Sequence, residues 1–529
     1  MRHFSFEDLT VRIFGGWGEI GGNQIFLQTA DGSLLLDFGK AFGRWGMHFT
    51  EFLTPRNKLG LRDLLALNLL PRVKGLYRQT NDDTLFASGA DLKLLENGVS
   101  DIDGEQVLAL LLSHAHLDHS GGLGYLRADL PIVATAATAA IAKAMQDTSR
   151  VGVEGEATYL SRRKVSEEGI LEGDRRAFQR RKFLLLHGSL PTFQNVSPAQ
   201  TKPVEGEIWD AANASLQFGN LRVEAFAVDH SIPGAVAFAV ETPQGLVVYS
   251  GDVRLHGHNA QQTENFLQEI ERRKTFLLIM EGTRLGSSSK AYKEAQVKDN
   301  LHNLVQQHKG SFISVDFAPR NLERLCSVMA VGKEVGRSLV VTPKDAYLLW
   351  GLGYADSHWL DVLQHVLVLK EGKARTEAWE QLILDQAKSV TLNEIVNEPG
   401  KYILAFGFYE VNRLLDLRLL EEQHGKSSGE GVYIFSNSYW ADDEQILDLK
   451  VLLNWLKNLN FRLYPEKLAE LPEDASRVDN PYHTSGHAPE EDLATIVQRI
   501  NPRHLLPVHT EHPQRWLELL KGSQTVVLL

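Results

Sequence analysis

The segment Ser113-His-Ala-His-Leu-Asp-His-Ser120 gathers three imidazoles and a carboxylate, His114, His116, Asp118 and His119, into one short stretch. Imidazole nitrogen and carboxylate oxygen suit divalent zinc. Donors this close can feed two adjacent ions, one from His114 and His116 and the other from Asp118 and His119. An apolar run at 107–112 leads straight into the cluster, and Gly121-Gly122 follows it. Strand end, ligand loop and glycine turn together read as a metal-binding unit.

Three more donors repeat the pattern of a polar group just past an apolar run. The run 221–228 precedes His230, the run 245–250 precedes Asp252, and the run 503–508 ends at His509. Singly, His230 and Asp252 read as ordinary loop and turn residues; the repetition implies side chains converging on one rim. Near the N-terminus, Gly16-Trp-Gly-Glu-Ile-Gly21 matches GxGxxG with Asp37 downstream, yet a dinucleotide fingerprint requires a helix opening at the glycines. Here residues 23–29 alternate as a strand and Asp31-Gly32 turns into a second strand at 33–38. The segment is a β-hairpin behind a glycine bend, with the glycines permitting close backbone packing beside the site.

A chain of 529 residues holds at least two domains, and a 43% hydrophobic fraction is ample for their cores. The single cysteine, Cys326, excludes an intramolecular disulfide and a multi-thiolate zinc site. Met1-Arg-His-Phe opens no secretory signal, and no window approaches the roughly 20 apolar residues of a membrane span. The expectation is a cytoplasmic protein with no membrane partner. A net charge of -12 argues against a coat of basic charge but permits a local basic groove, so nucleic acid is neither required nor excluded. The basic stretches Ser161-Arg-Arg-Lys164, Asp174-Arg-Arg176 and Gln179-Arg-Arg-Lys182 are interleaved with Glu167, Glu168 and Glu172. They read as a solvated helical face before a phosphate-tracking surface.

The chain resembles the metallo-β-lactamase-fold nucleases of the β-CASP group, and within it the ribonuclease J family. The resemblance rests on Gly15-Gly-Trp-Gly-Glu-Ile-Gly-Gly-Asn23, His114-Ala-His-Leu-Asp-His119, His230-Ser-Ile-Pro with Thr242-Pro, and Ser250-Gly-Asp252. His483-Thr-Ser-Gly-His-Ala488 and Pro507-Val-His-Thr-Glu511, placed after a long insertion, select the β-CASP group. The implied fold is α/β: a metallo-β-lactamase αββα sandwich over residues 1–285 and 476–529, with an insertion near 40–104, and an inserted β-CASP-like α/β domain over 286–475.

The resemblance also implies roles. His114, His116 and His230 would hold one divalent ion, and Asp118, His119 and His509 a second, with Asp252 bridging. The metals would be zinc, with Mn2+ or Mg2+ as alternatives. Asp118 and Asp252 would be catalytic as well as metal-holding. Glu281, after the run 275–280, and His487 would form the acid that protonates the leaving oxygen. His483, Ser485 and Gly486 would contact substrate, His483 alternatively supporting a metal ligand. The implied activity is two-metal phosphodiester hydrolysis of single-stranded RNA, endonucleolytic or from the 5′ end, with DNA open. The alternatives are a small-molecule esterase or lactonase on the same metals, and a non-catalytic RNA-binding scaffold. No motif fixes the oligomeric state.

Three departures stand out. Where the family has small residues to hold a terminal nucleotide, this chain reads Ala405-Phe-Gly-Phe-Tyr-Glu410 and Ser436-Asn-Ser-Tyr-Trp-Ala-Asp-Asp443. Phe408, Tyr409, Tyr439 and Trp440 could stack on bases there or pack between layers. Apolar runs such as 61–70 suggest helices in the 40–104 insertion, without a role. The chain ends soon after His509, leaving no room for the further C-terminal domain of the family.

Overall fold

The computed structural model describes residues 2–96, 98, 102–149, 152–174, 177–190, 192–193, 203–212, 215–287, 289–372, 375–439, 443–470 and 478–529. Two compact units emerge. The first comprises Met1–Leu255, Gln261–Gly286 and His487–Leu529, and the second His256–Ala260 and Ser287–Gly486.

Among the described residues the first unit is built on two large sheets. One runs Arg2–Ser5, Thr10–Gly15, Gln24–Thr29, Gly32–Phe38, Val107–Leu111, Ile132–Thr135, Phe183–Leu186, Asp210–Ala211 in spatial order. The other runs Ser215–Phe218, Leu221–Ala227, Val236–Thr242, Gly245–Tyr249, Thr275–Glu281, His504–Val508, Val526–Val527. Their inner faces share one core. In Val236–Thr242, for example, Val236, Phe238 and Val240 face the core between the sheets, whereas Ala237 and Ala239 face the helices on the other side. That two-residue alternation is what a doubly covered strand requires, and alanine on the outer face lets helices approach closely. The helix Glu490–Ile500 meets this face with Leu493, Ile496, Val497 and Ile500, the i, i+3, i+4, i+7 stripe of an amphipathic helix. Burying each such side chain contributes about 1.5–3 kcal/mol. The metallo-β-lactamase layering of two sheets flanked by helices is thereby satisfied.

The glycine bend leads into the antiparallel hairpin Gln24–Thr29 and Gly32–Phe38, not into a helix. The 40–104 insertion holds the helices Phe42–Gly46, Arg62–Ala66 and Gly89–Glu96. It is pinned by Arg78, whose fully buried guanidinium donates to Asp83 at 2.7 and 2.8 Å, to Glu156 at 2.8 Å, and to the carbonyls of Ser161 and Gly124. Gly124 lies just past the histidine-rich loop, so this network ties the insertion to the chain leaving the site.

The basic stretches are not helical. They form the short strands Arg163–Val165, Leu171–Gly173 and Phe178–Arg180. Arg163 pairs with Glu156, Lys164 with Asp82, and Arg181 is buried, donating to the carbonyls of Leu123, Leu126 and Arg127. Mixed charges at two-residue spacing fit strands with alternating faces; Arg163 and Arg181 bond inside the fold, whereas the Lys164–Asp82 pair is exposed. Arg175 and Arg176 lie outside the described residues.

The second unit carries a wholly parallel seven-stranded sheet in the order Ser389–Val390, Leu367–Leu369, Ser338–Val341, Tyr402–Leu404, Ile313–Asp316, Gly431–Phe435, Phe461–Tyr464. The alternation of strands and helices in the sequence implies such a sheet. One boundary differs: Pro319 suggests a helix start, but the helix is Leu322–Val335, because the Asn321 side chain accepts from the Arg324 amide and caps it. Phe408 and Tyr439 pack against this unit's core, Tyr409 is 85% exposed, and Trp440 lies outside the described residues.

Removing the Arg78 cation would leave the buried Asp83 without its cation and Glu156 with Arg163 alone. Arg78→Ala is expected to lower the unfolding free energy of the first unit by about 3–5 kcal/mol. Chemical denaturation checks it, and an unchanged midpoint would show that the network carries no net stability.

Candidate metal centre

Strand register builds the site. Gly32–Phe38 and Val107–Leu111 run parallel with Leu36 opposite Leu111, which sets Asp37 beside Ser113 at the head of the histidine loop. The loop stays extended through His116, then turns at Leu117–Ser120, bringing Asp118 and His119 to the same side as His114 and His116. On the other sheet, Gly245–Tyr249, Thr275–Glu281 and His504–Val508 are mutually parallel, and their C-terminal ends bring Asp252, Glu281 and His509 together. His230 follows Leu221–Ala227.

Two overlapping clusters result. His116 Nδ1 lies 3.0 Å from His114 Nε2 and 3.1 Å from His230 Nε2; Asp252 Oδ2 lies 3.5 and 3.7 Å from the same two nitrogens. Asp118 Oδ2 lies 3.1 Å from His509 Nε2 and 3.7 Å from His119 Nε2. Asp252 is common to both, with Oδ2 at 3.2 Å from His119 Nε2 and Oδ1 at 3.9 Å from His509 Nε2. Ligands about 2.0–2.1 Å from a tetrahedral zinc would stand roughly 3.4 Å apart, and the observed spacings bracket that value. His119 Nε2 and both Asp252 oxygens are buried with no hydrogen-bond partner, the state expected of atoms whose partner is a cation. The donor set fits a pair of divalent ions.

The outer ring nitrogens explain the inward ones. His119 Nδ1 lies 2.7 Å from Asp37 Oδ2, His114 Nδ1 lies 3.0 Å from Ser113 Oγ, and His509 Nδ1 lies 2.8 Å from Thr283 Oγ1. In each ring Nδ1–H donates outward, so the Nε2 lone pair points into the cluster. Asp37 is fully buried and also accepts from the Ser113 amide and hydroxyl, both at 2.7 Å, and from the Tyr249 hydroxyl at 2.6 Å. Asn23 Nδ2 donates in turn to Tyr249 at 2.9 Å.

Glu281 and His487 form a second motif beside the clusters. His487 Nδ1 lies 3.0 and 3.2 Å from the Glu281 oxygens and 3.8 Å from Asp252 Oδ2. Burial is the largest influence on all these groups and disfavours charge; neighbours decide the sign. His114, with His119 beside it, is driven well below the usual histidine range. For His119, Asp252, Asp118 and Asp37 outweigh burial and raise it. His119 likewise holds Asp252 down, and His487 holds Glu281 down. For His487 the Glu281 and Asp252 carboxylates overcome burial and lift it to about 9.

The glycines have a steric reason. A Cβ on Gly39 would stand 1.6 Å from the Asp118 carbonyl oxygen, and one on Gly21, at φ +75°, 2.7 Å from the Asp118 Cβ. Both backbones press on the ligand loop in a way only glycine allows.

The structure thus brings together His114, His116, Asp118, His119, His230, Asp252, Glu281, His487 and His509. His483, Ser485 and Gly486 belong to the second unit. There the His483 ring lies 3.1 Å from the Ser436 carbonyl and 3.2 Å from Ser438 Oγ, and the Ser485 carbonyl lies 3.0 Å from His256 Nε2. Four residues at the site escape the sequence reading: Asp37, Ser113, Tyr249 and Thr283. Asp37 carried a signal, an ionisable group in the otherwise apolar Leu34-Leu-Leu-Asp-Phe38.

Residues 83–268 match the metallo-beta-lactamase superfamily, and residues 476–518 match the Zn-dependent metallo-hydrolase RNA specificity domain. Ribonuclease J of Pyrococcus abyssi is 22% identical over 517 residues, covering 95% of this chain and 90% of the relative. Ribonuclease J of Mycolicibacterium smegmatis is 24% identical over 435 residues, covering 79% of this chain but 60% of the relative. A solved structure of a protein of unknown function from Enterococcus faecalis superposes with a TM-score of 0.66 at 21% identity, covering 99% of this chain and 98% of that one. With its cluster of histidine and aspartate donors, this chain is a divalent-metal-binding protein of the metallo-β-lactamase fold, β-CASP and ribonuclease J-like in kind.

Proposed function

We propose that this chain is a two-metal ribonuclease that cleaves single-stranded RNA, with zinc as the resident metal. The observation that carries the reading is the Glu281–His487 pair, 3.0 Å apart and adjoining the metal donors. A metal site alone serves many hydrolases; an imidazolium held beside it is what a poor alkoxide leaving group demands. The ribonuclease J relatives and the RNA specificity match support RNA over a small ester. The division into residues 1–285 with 476–529 and an inserted domain at 286–475 belongs to the same proposal, as does substrate contact by His483, Ser485 and Gly486.

His114, His116 and His230 would hold one ion, Asp118, His119 and His509 the other, and Asp252 both. Bound there, divalent cations supply acidified water as nucleophile and counter-charge for phosphate oxygens. The chain's own residues do the rest. Glu281 accepts from His487 Nδ1, fixes the ring and stabilises its protonated form, so that Nε2 holds the proton the leaving oxygen takes. His116, Asp118 and His487 are the less buried members of the cluster and mark the side from which substrate enters.

End recognition is the finer question. In the second unit Asp316, at the end of a central strand, is buried, which pushes its carboxyl up to about 6, with Glu410 adding to the shift. A buried carboxyl beside Glu410 and an exposed Tyr409 offer a poor seat for a terminal phosphate.

The purified protein is expected to carry close to two divalent ions per chain by elemental analysis. Asp252→Ala should lose activity and at least one ion, and full metal content in that variant would remove Asp252 from the site. His487→Ala should keep both ions while cleavage falls by about 100-fold or more, and the alkaline limb of kcat should vanish with it. Loss of metal would instead move His487 among the ligands. RNA with a 5′-monophosphate should be cut less than about tenfold faster than the 5′-triphosphate form, a gap under roughly 1.4 kcal/mol, and circular RNA should be cut too. Intact circles beside processive decay of the monophosphate RNA to mononucleotides would establish 5′-end dependence against this reading.

A further inference from the structure

Thr283 sits between the metal donors and the acid pair. Its Oγ1 lies 2.8 Å from His509 Nδ1 and 2.7 Å from Glu281 Oε2, and its amide donates to the same Glu281 oxygen at 3.2 Å. The side chain is buried, as are both partners. A hydroxyl has one proton to give, so the direction of these two bonds is not free. His509 turns Nε2 toward Asp118 and Asp252, which leaves Nδ1 to carry the hydrogen. That N–H donates to Thr283 Oγ1. The Thr283 proton must then go to Glu281, which already accepts from the Val253 amide at 2.9 Å through its other oxygen and from His487 Nδ1.

We propose that Thr283 is a positioning residue that couples metal retention to the acid pair, through the one-way chain His509 Nδ1–H to Thr283 Oγ1–H to the Glu281 carboxylate. The inference rests on the reading that His509 holds a metal. It assigns a single hydroxyl two tasks: locking the tautomer and ring plane of a ligand, and fixing the carboxylate oxygen that also faces His487. Strand register makes the arrangement possible. Glu281 lies opposite Val508, so the residues following each strand, Thr283 and His509, meet across the sheet end. The other two outward-bonded rings lack this link, His119 resting on Asp37 and His114 on Ser113. Thr283 alone among these partners touches Glu281 in the bonds that orient the rings.

Thr283→Val keeps the shape and deletes the hydroxyl, whereas Thr283→Ser keeps the hydroxyl. Zinc affinity of the full chain would be read by competition with a chromophoric chelator, with no RNA present, alongside kcat on RNA and the melting temperature. The expected result for Thr283→Val is a loss of about 10- to 100-fold in affinity for one of the two zinc ions, a fall in kcat, and a second ion held as in the parent. Thr283→Ser should restore both to within about threefold of the parent. Glu281→Gln should weaken the same ion in the parent and have no further effect in the Thr283→Val background, the signature of coupling through the hydroxyl. Parental affinity for both ions in Thr283→Val, a serine variant as impaired as the valine one, or an undiminished Glu281→Gln effect in the valine background would each overturn the proposal. Because the zinc measurement needs no substrate, a parent enzyme inactive on RNA would sink the ribonuclease reading and leave this inference standing.

Discussion

Burying negative charge is the constraint around which this protein is organised. Asp37, Asp252 and Glu281 are almost wholly inaccessible, and Asp118 joins them at the open edge. Each buried carboxylate costs several kcal/mol unless charge or hydrogen bonds compensate it. Asp37 is compensated by four donors, an amide, two hydroxyls and the His119 imidazole. Asp252 is not: both its oxygens are orphaned, and the histidines around it cannot all be protonated at once without repelling one another. A pair of divalent cations resolves that conflict. Metal bound to such donors adds its binding free energy to that of folding.

The backbone absorbs strain to bring these groups together. Among the described residues, six non-glycine positions have positive φ, and two of them, Asp37 at +53° and His509 at +53°, belong to the cluster. Such conformations cost about 1–3 kcal/mol each and persist where surroundings enforce them. At Asp37 the enforcing contacts are its own four acceptor bonds. At His509 they are its amide bond to the Gly16 carbonyl and its ring bond to Thr283. The glycine bend, which a dinucleotide motif would have used for phosphates, serves here as the wall behind His509.

That division shows what a sequence does and does not carry. The histidine loop, His230, Asp252 and His509 were legible because each follows an apolar run, and strand ends are where chemistry collects in such folds. The parallel sheet of the second unit followed from the alternation of runs, and the two-sheet sandwich from the family resemblance. Ser113, Tyr249 and Thr283 were not legible, and Asp37 showed only as an ionisable group in an apolar run, because their roles depend on register between strands far apart in the chain. Thr283 meets His509 across 226 residues, and Tyr249 meets Asp37 across 212. The basic segment at 161–182 was misread for a related reason. Charge spacing alone does not reveal that Arg181 is buried against turn carbonyls, since those acceptors are supplied by a different part of the chain.

The outward bonds of the three inward-facing rings also make the two proposed metal positions unequal. His119 leans on a carboxylate, which raises the basicity of its Nε2, whereas His114 and His509 lean on hydroxyls. The position formed by Asp118, His119 and His509 thus gathers a carboxylate of its own, the shared Asp252 and the influence of Asp37. The position formed by His114, His116 and His230 has only Asp252 to offset a cation. The His487 ring stands between the two, 5.2 Å from the His230 ring and 5.5 Å from the His509 ring, and its partner Glu281 is tied to the His509 end through Thr283. The acid pair thus adjoins both positions, and the one carboxylate they share, Asp252, also lies 3.8 Å from His487 Nδ1.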